Sequence, residues 1–166
     1  MITAFSRRPK LHSGRAAPGF TLPETLATLM VVSVLSVMAV PMIRDMVQGY
    51  RVKTASFELF LTLNYARSEA IKRAGPVTVT PMGSGWESGW RILDQTGKVI
   101  KLQPGFSGGV QIAGPDTLVY EKDGRLPQVG TTASFDVAVD SQTSSTQGRC
   151  VRVDLAGRPA TRKGGC

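Results

Sequence analysis

The sequence predicts an α+β fold: a long N-terminal helix, membrane-spanning in its first half and amphipathic in its second, packed on an antiparallel β-sheet head. Three features predict it. Residues 25–43 are 19 consecutive uncharged positions, mostly Leu, Val, Met and Ala. Residues 44–74 continue with apolar side chains at helical spacing among charged ones. From Pro76 onward the chain breaks into short β-prone runs separated by Gly, Pro and Asp.

A helix of the first length covers most of the ~30 Å hydrocarbon core of a bilayer. Glu24 sits at its mouth, where a carboxylate is costly and is usually paired or functional. A cleavable secretory signal, with residues 26–38 as its apolar region and a small-residue site near Ala39, is one alternative. A plain membrane anchor is another. Both leave Glu24 unexplained. Beyond the run, Met46, Tyr50, Phe57, Leu61 and Tyr65 recur at steps of four and seven. This is one apolar stripe on a charged rod, expected to lie under a sheet. Gly75-Pro76 ends the pattern, giving a helix from about Phe20 to Ala74, ~80 Å long.

Seven strand candidates follow: VTVT, GWRILD, KVIKL, GVQI, TLVYE, SFDVAV and RCVRVDL. Alone they would suggest a sandwich; joined to a long amphipathic helix they predict one sheet wrapped on it. The stretches LVYEKDGRLP and VRVDLAGRPA echo each other, each a strand followed by a Gly-Arg turn.

Composition weighs against catalysis. The only histidine is His12, so the rest of the chain has no His-based general base, Ser–His pair or His metal ligand. GSGWESG at 83–89 has the wrong spacing for a phosphate-binding loop, and no helix follows it. Trp86 and Trp90 fit hairpin packing, and Asp94, Asp116, Asp123 and Asp140 fall where turns use aspartate. No catalytic set, cofactor site or metal constellation is expected.

The formal charge of +8 resides at the two ends. Arg7, Arg8, Lys10 and Arg15 precede the apolar run without an acid, and Arg149, Arg152, Arg158, Arg162 and Lys163 face only Asp154 in the last 26 residues. The leader cations favour a cytoplasmic N-terminus, opposed by Arg44, Arg51 and Lys53 beyond the run. Cys150 and Cys166 allow one intrachain pairing, which needs an oxidising compartment. It would staple a terminal hairpin and contribute ~3 kcal/mol. Strand alternation puts Arg149 and Arg152 on opposite faces, while Arg158, Arg162 and Lys163, after the Gly157 turn, are expected to converge on one surface.

The stretch Pro18-Gly19-Phe20-Thr21-Leu22-Pro23-Glu24, behind a short basic leader and before a spanning run, resembles the processing signal of type IV pilins and pseudopilins. The resemblance implies that a prepilin peptidase cuts between Gly19 and Phe20 and methylates the new amine of Phe20. It implies that Glu24 pairs with the terminal amine of a neighbouring subunit and sets the register of assembly, and that Pro41 bends the helix. Pro23 stands where the family more often has an aliphatic residue; in a first turn it forfeits only an N–H with no helical partner.

The implied organisation is a leader at 1–19, a transmembrane half-helix at 20–43, an amphipathic periplasmic half at 44–75, and a head with a C-terminal disulfide loop at 76–166. The implied location is the bacterial inner membrane, single-pass, with the head in the periplasm. The implied partners are the peptidase and other major and minor pilins or pseudopilins. The strand-rich head and late Gly-Arg turn also resemble the GspH/FimT family of minor pilins and pseudopilins. The role implied is a non-enzymatic subunit in type IV pilus assembly, near the filament tip, or in the type II secretion pseudopilus. Some FimT-like members bind DNA through a C-terminal Gly-Arg-x-Arg element. Here Gly157-Arg158-Pro159-Ala160 matches its start, with Arg162 two positions later than the second arginine; the candidate DNA contacts are Arg149, Arg152, Arg158, Arg162 and Lys163.

Overall fold

A computed structural model describes residues 19–127, 132–139 and 148–166. Helix α1 runs over Leu22–Arg73. Eight strands follow: β1 Val77–Met82, β2 Gly85–Leu93, β3 Val99–Pro104, β4 Val110–Ala113, β5 Leu118–Tyr120, β6 Ala133–Val139, β7 Arg149–Val153 and β8 Pro159–Lys163. The chain divides into two compact units, Met1–Pro41 and Met42–Cys166.

In the first unit, Thr21 opens the helix, its carbonyl accepting from the amides of Glu24 and Thr25 at 3.1 Å. Pro23 falls in the first turn, where its missing N–H costs nothing. Leu26, Leu29, Met30, Val31, Val34 and Leu35 all stand exposed. The hydroxyls of Thr25, Thr28, Ser33 and Ser36 donate to carbonyls three or four residues back, at 2.7–2.9 Å. A helix that hides its hydroxyls this way and is apolar all round is suited to lipid. By length and composition it is able to cross a membrane.

In the second unit α1 buries Val52, Ala55, Ser56, Leu59, Thr62, Leu63, Ala66, Glu69 and Ala70. These recur at steps of three and four, as one covered face must. The expected stripe is not that face. Met46 is 77% exposed, Tyr50 70%, Phe57 54%, Leu61 42% and Tyr65 37%. The helix has two apolar faces, and the strands cover the one with small residues. The covered face mixes Val52, Leu59 and Leu63 with Ala55, Ala66 and Ala70, all of them buried.

The strands make two antiparallel sheets, ordered β3-β2-β1-β5 and β4-β6-β7-β8, where the sequence predicted one. The chain changes sheet after β3, through Gly105, Phe106, Ser107, Gly108 and Gly109. The tryptophans pack as expected. Trp90 donates its indole N–H to Thr62 Oγ1 at 3.1 Å, fixing β2 on the helix. Trp86 donates to the Pro115 carbonyl at 2.8 Å and meets the Phe135 ring edge-on at 4.9 Å, joining the two sheets. The seven strand candidates are all present. The eighth, β8, forms the terminal hairpin with β7. The GSGWESG stretch is the β1–β2 turn and the start of β2.

The helix ends at Arg73, one residue short of the expected Ala74. Ala74 takes φ +50°, its amide bonds to the Ile71 carbonyl at 3.2 Å, and the Gly75 amide bonds to the Ala70 carbonyl at 3.2 Å. This is the left-handed cap that normally carries glycine. Ala74→Gly is therefore expected to stabilise the folded chain by about 0.5–1 kcal/mol, seen as a higher melting temperature in detergent.

Candidate assembly and recognition surfaces

The N-terminal candidates are accessible. Phe20 is 81% exposed, and nothing approaches Gly19 within 4 Å of where a Cβ would stand. A protease could reach the bond between them. Glu24 lies in the first turn, where helix dipoles favour negative charge. Its Oε2 accepts from the Thr21 amide at 3.5 Å, a long and weak capping contact. The basic leader before Pro18 and the side chain of Pro41 lie outside the described residues.

The C-terminal candidates sit on the second sheet. Cys150 and Cys166 are joined by a disulfide with S–S 2.11 Å, and Gly164 donates to the Gly148 carbonyl at 2.7 Å. Together they close the β7–β8 hairpin. Reduction, or Cys166→Ser, should cost the folded chain about 3 kcal/mol in a denaturant titration.

The five cations do not form one surface. Register puts Ile112, Val137, Arg149 and Lys163 in one row across the sheet, sharing a face with Val151 and Val153. Arg152 and Arg162 lie on the other face, in neighbouring rows. Arg149 and Arg152 thus point oppositely, as alternation required. Arg158, Arg162 and Lys163 do not converge, because β8 is a regular strand, which separates neighbours by face and its ends by length. Arg158 sits in the turn at the far end of β8 from Lys163. There its amide donates to Asp154 Oδ1 at 2.8 Å and its Nε to Oδ2 at 3.0 Å. Arg162 donates to the carbonyls of Gly165 and Cys166 at 3.2 and 2.9 Å.

The echoed Gly-Arg stretches fold alike. The Glu121 amide bonds to the Arg125 carbonyl at 2.8 Å and the Gly124 amide to the Glu121 carbonyl at 2.7 Å; Asp154, Gly157 and Arg158 repeat this at 3.2 and 2.8 Å. Asp94, Gly97 and Lys98 do the same at 3.0 and 2.9 Å. Each turn puts an acid first and a positive-φ glycine fourth, with φ +75°, +76° and +81°. The echo was visible in the sequence; its consequence was not. The two Gly-Arg turns touch, with the Leu126 amide on the Leu155 carbonyl at 3.3 Å, and Arg67 Nε of α1 donates to the Gly124 carbonyl at 3.1 Å. This junction joins helix and both sheets.

Hydrogen bonds from Arg158, foremost its amide, lower the pKa of Asp154. The Thr96 hydroxyl does so for Asp94, and Arg73 for Glu69, with Arg73 Nε 2.7 Å from Glu69 Oε2. Carboxyls with depressed folded pKa values stabilise the fold above their unfolded values, and that contribution is lost as pH falls through the folded ones. The melting temperature of the chain should therefore drop as pH goes below about 4, with little change between pH 6 and 8. Asp123 accepts from the Arg125 amide at 3.1 Å, Asp116 sits in the loop between β4 and β5, and Asp140 lies outside the described residues. Tyr120, whose hydroxyl has no partner among the described residues, has its pKa raised by burial.

Comparison with known proteins places this architecture. Crystal structures of the type IV minor pilin FimU from Pseudomonas aeruginosa, strain PAO1, share the fold in two crystal forms. One matches with TM-score 0.59 and 22% identity over 67% of this chain and 87% of that one. The other matches with TM-score 0.57 and 23% identity over 66% and 91%. No curated protein sequence matches the chain. The sequence profile described as "Type II transport protein GspH" matches residues 55–157, from the covered face of α1 to the Gly157 turn. The chain belongs to the GspH family.

Proposed function

We propose that this chain is a non-enzymatic minor pilin that takes part in type IV pilus assembly near the filament tip. It is held in the bacterial inner membrane by a single span, with its head in the periplasm. A prepilin peptidase removes residues 1–19 and methylates Phe20. Glu24 pairs with the Phe20 amine of a neighbouring subunit, Pro41 bends the helix, and the partners are other major and minor pilins.

The observation that carries this reading is the second apolar face of α1. Met46, Tyr50, Phe57 and Leu61 remain exposed on the side opposite the covered face. An isolated globular subunit gains nothing from such a row, whereas a neighbouring helix in a filament would bury it. The N-terminal residue and mass of the protein taken from membranes test the proposal. N-methylated Phe20 is expected. An end near Val40 would favour a secretory signal, and an intact Met1 would defeat the assignment.

The family description supports a second reading, a pseudopilin of type II secretion. A deletion strain separates the two: loss of surface pili favours the first, loss of secreted proteins with pili intact the second. DNA binding now rests on fewer groups than the sequence offered. Arg152 and Arg162 share one exposed face, and phosphate contacts through them would be steeply salt-dependent. If DNA is a ligand, the full chain in detergent shifts a duplex at low salt and Arg152→Ala with Arg162→Ala removes the shift.

A further inference from the structure

We propose that the foot of the head, where α1 leaves the apolar run, is a binding site for the headgroup of an acidic phospholipid. This rests on the membrane-anchored reading above. The next ten residues after the run, 44–53, hold Arg44, Arg51 and Lys53 against one acid, Asp45. Among the described residues none of these three cations makes an ion pair. Arg44 and Arg51 are seven residues apart, hence on one side of the helix and ~10 Å apart along it. Lys53 extends from the other side.

Arg51 is held in place. Its Nη1 donates to the Gly108 carbonyl at 3.2 Å. Gly108 has φ +82°, and a Cβ there would strike the guanidinium, so bare backbone lets the group lie against the loop. A guanidinium has five N–H donors, and among the described residues only Nη1 of Arg51 finds a hydrogen-bond partner. Two open hollows meet at Tyr50 and Arg51. One, of about 460 Å³, is lined by Met46, Val47, Gly49 and Lys53 with these two. The other, of about 260 Å³, is lined by Thr54, Phe106, Ser107 and Val110 with the same two. The first has an apolar floor and a cationic rim.

With Ile43 at the edge of the hydrocarbon, Arg44 falls within the headgroup layer and Arg51 lies ~12 Å beyond the edge, within reach of it through its long side chain. Tyr50 is an amphipathic ring of the kind that populates this layer. The loop between β3 and β4 offers no charge to repel a phosphate. Cations on the exported side also work against the orientation that the leader cations favour. Their presence there fits a use, and phosphate is the anion at that depth. In the unassembled protomer, before a neighbouring helix covers Met46 and Tyr50, the apolar floor takes the glycerol and upper acyl chain, and the arginines take the phosphate.

The test uses the full chain in vesicles of equal phosphatidylglycerol and phosphatidylcholine, released into the gas phase for native mass spectrometry. About tenfold enrichment of phosphatidylglycerol among retained lipids is expected. Arg44→Gln with Arg51→Gln and Lys53→Gln should bring the ratio to about one. Arg44→Gln with Lys53→Gln, which spares the loop contact of Arg51, should fall between, with buried-tryptophan fluorescence unchanged. Equal retention of both lipids by the unaltered chain overturns the inference, as does enrichment that survives all three substitutions. A paired chain without lipid also overturns it, since a second copy would then be the occupant. Vesicle flotation separates this from failure of the anchor: a chain that never enters the bilayer defeats the membrane reading itself.

Discussion

Gly157→Ala is expected to destabilise the folded chain by about 3–5 kcal/mol and lower its melting temperature by ~10 °C or more. Two costs combine. Gly157 has φ +76°, so any L side chain pays the left-handed penalty of about 1–2 kcal/mol. A Cβ at this position would also run into the Gly124 carbonyl and crowd the Tyr120 ring. A backbone oxygen has nowhere to rotate to, so the two Gly-Arg turns must part. Parting them loosens the Leu126–Leu155 bond between the turns and the Arg67 contact that ties one of them to α1. Gly97→Ala is the internal control. Gly97 occupies the same position of the same turn, with φ +81°, and a Cβ there meets nothing within 4 Å. It should cost only the conformational penalty. Equal melting temperatures for the two variants would show that the docking of the turns contributes nothing.

That comparison marks what could be read from the sequence and what could not. Periodicity of two located seven strands, because each alternates or clusters β-branched residues between Gly, Pro and Asp turns. The partition of those strands into two sheets was not legible. It depends on the chain leaving the first sheet at five small or uncharged residues and on Trp86 meeting Phe135 across the gap, contacts without a local signature. The covered face of α1 was misassigned for a related reason. Large apolar residues at Met46, Tyr50, Phe57 and Leu61 dominate a periodicity count, whereas the buried face mixes Val52, Leu59 and Leu63 with Ala55, Ala66 and Ala70. A helix with two apolar faces leaves one for a partner, and sequence pattern alone does not say which. The C-terminal cations failed as a cluster because β8 is a strand: the tail suggested a loop that gathers charge, and pairing with β7 spread it over two faces and two ends. The N-terminal resemblance is carried by contiguous residues, Pro18 to Glu24, so its reading does not depend on how the chain folds.

Glu24→Gln is expected to leave leader removal and membrane insertion intact while reducing filament-associated protein about 100-fold. Within its own chain Glu24 has little to hold it. Its contact with the Thr21 amide is 3.5 Å long, and the residues after it are exposed and apolar. A carboxylate in lipid without a cation or a proton is costly, and a desolvated charge pair is worth keeping only when both partners are present. In the proposed filament the partner is the Phe20 amine of the adjoining subunit. Breaking a buried pair on one side costs about 3–5 kcal/mol, which at equilibrium is roughly two to four orders of magnitude in association. Glutamine keeps the shape and a carbonyl acceptor for the Thr21 amide, so the local cap survives and only the charge is tested. Cleavage is read from the mass of the membrane protein, and assembly from the fraction that pellets with sheared filaments. Normal filament incorporation of the glutamine variant would mean that Glu24 merely caps its own helix. Failure of cleavage instead would place Glu24 in recognition by the peptidase, acting before assembly begins.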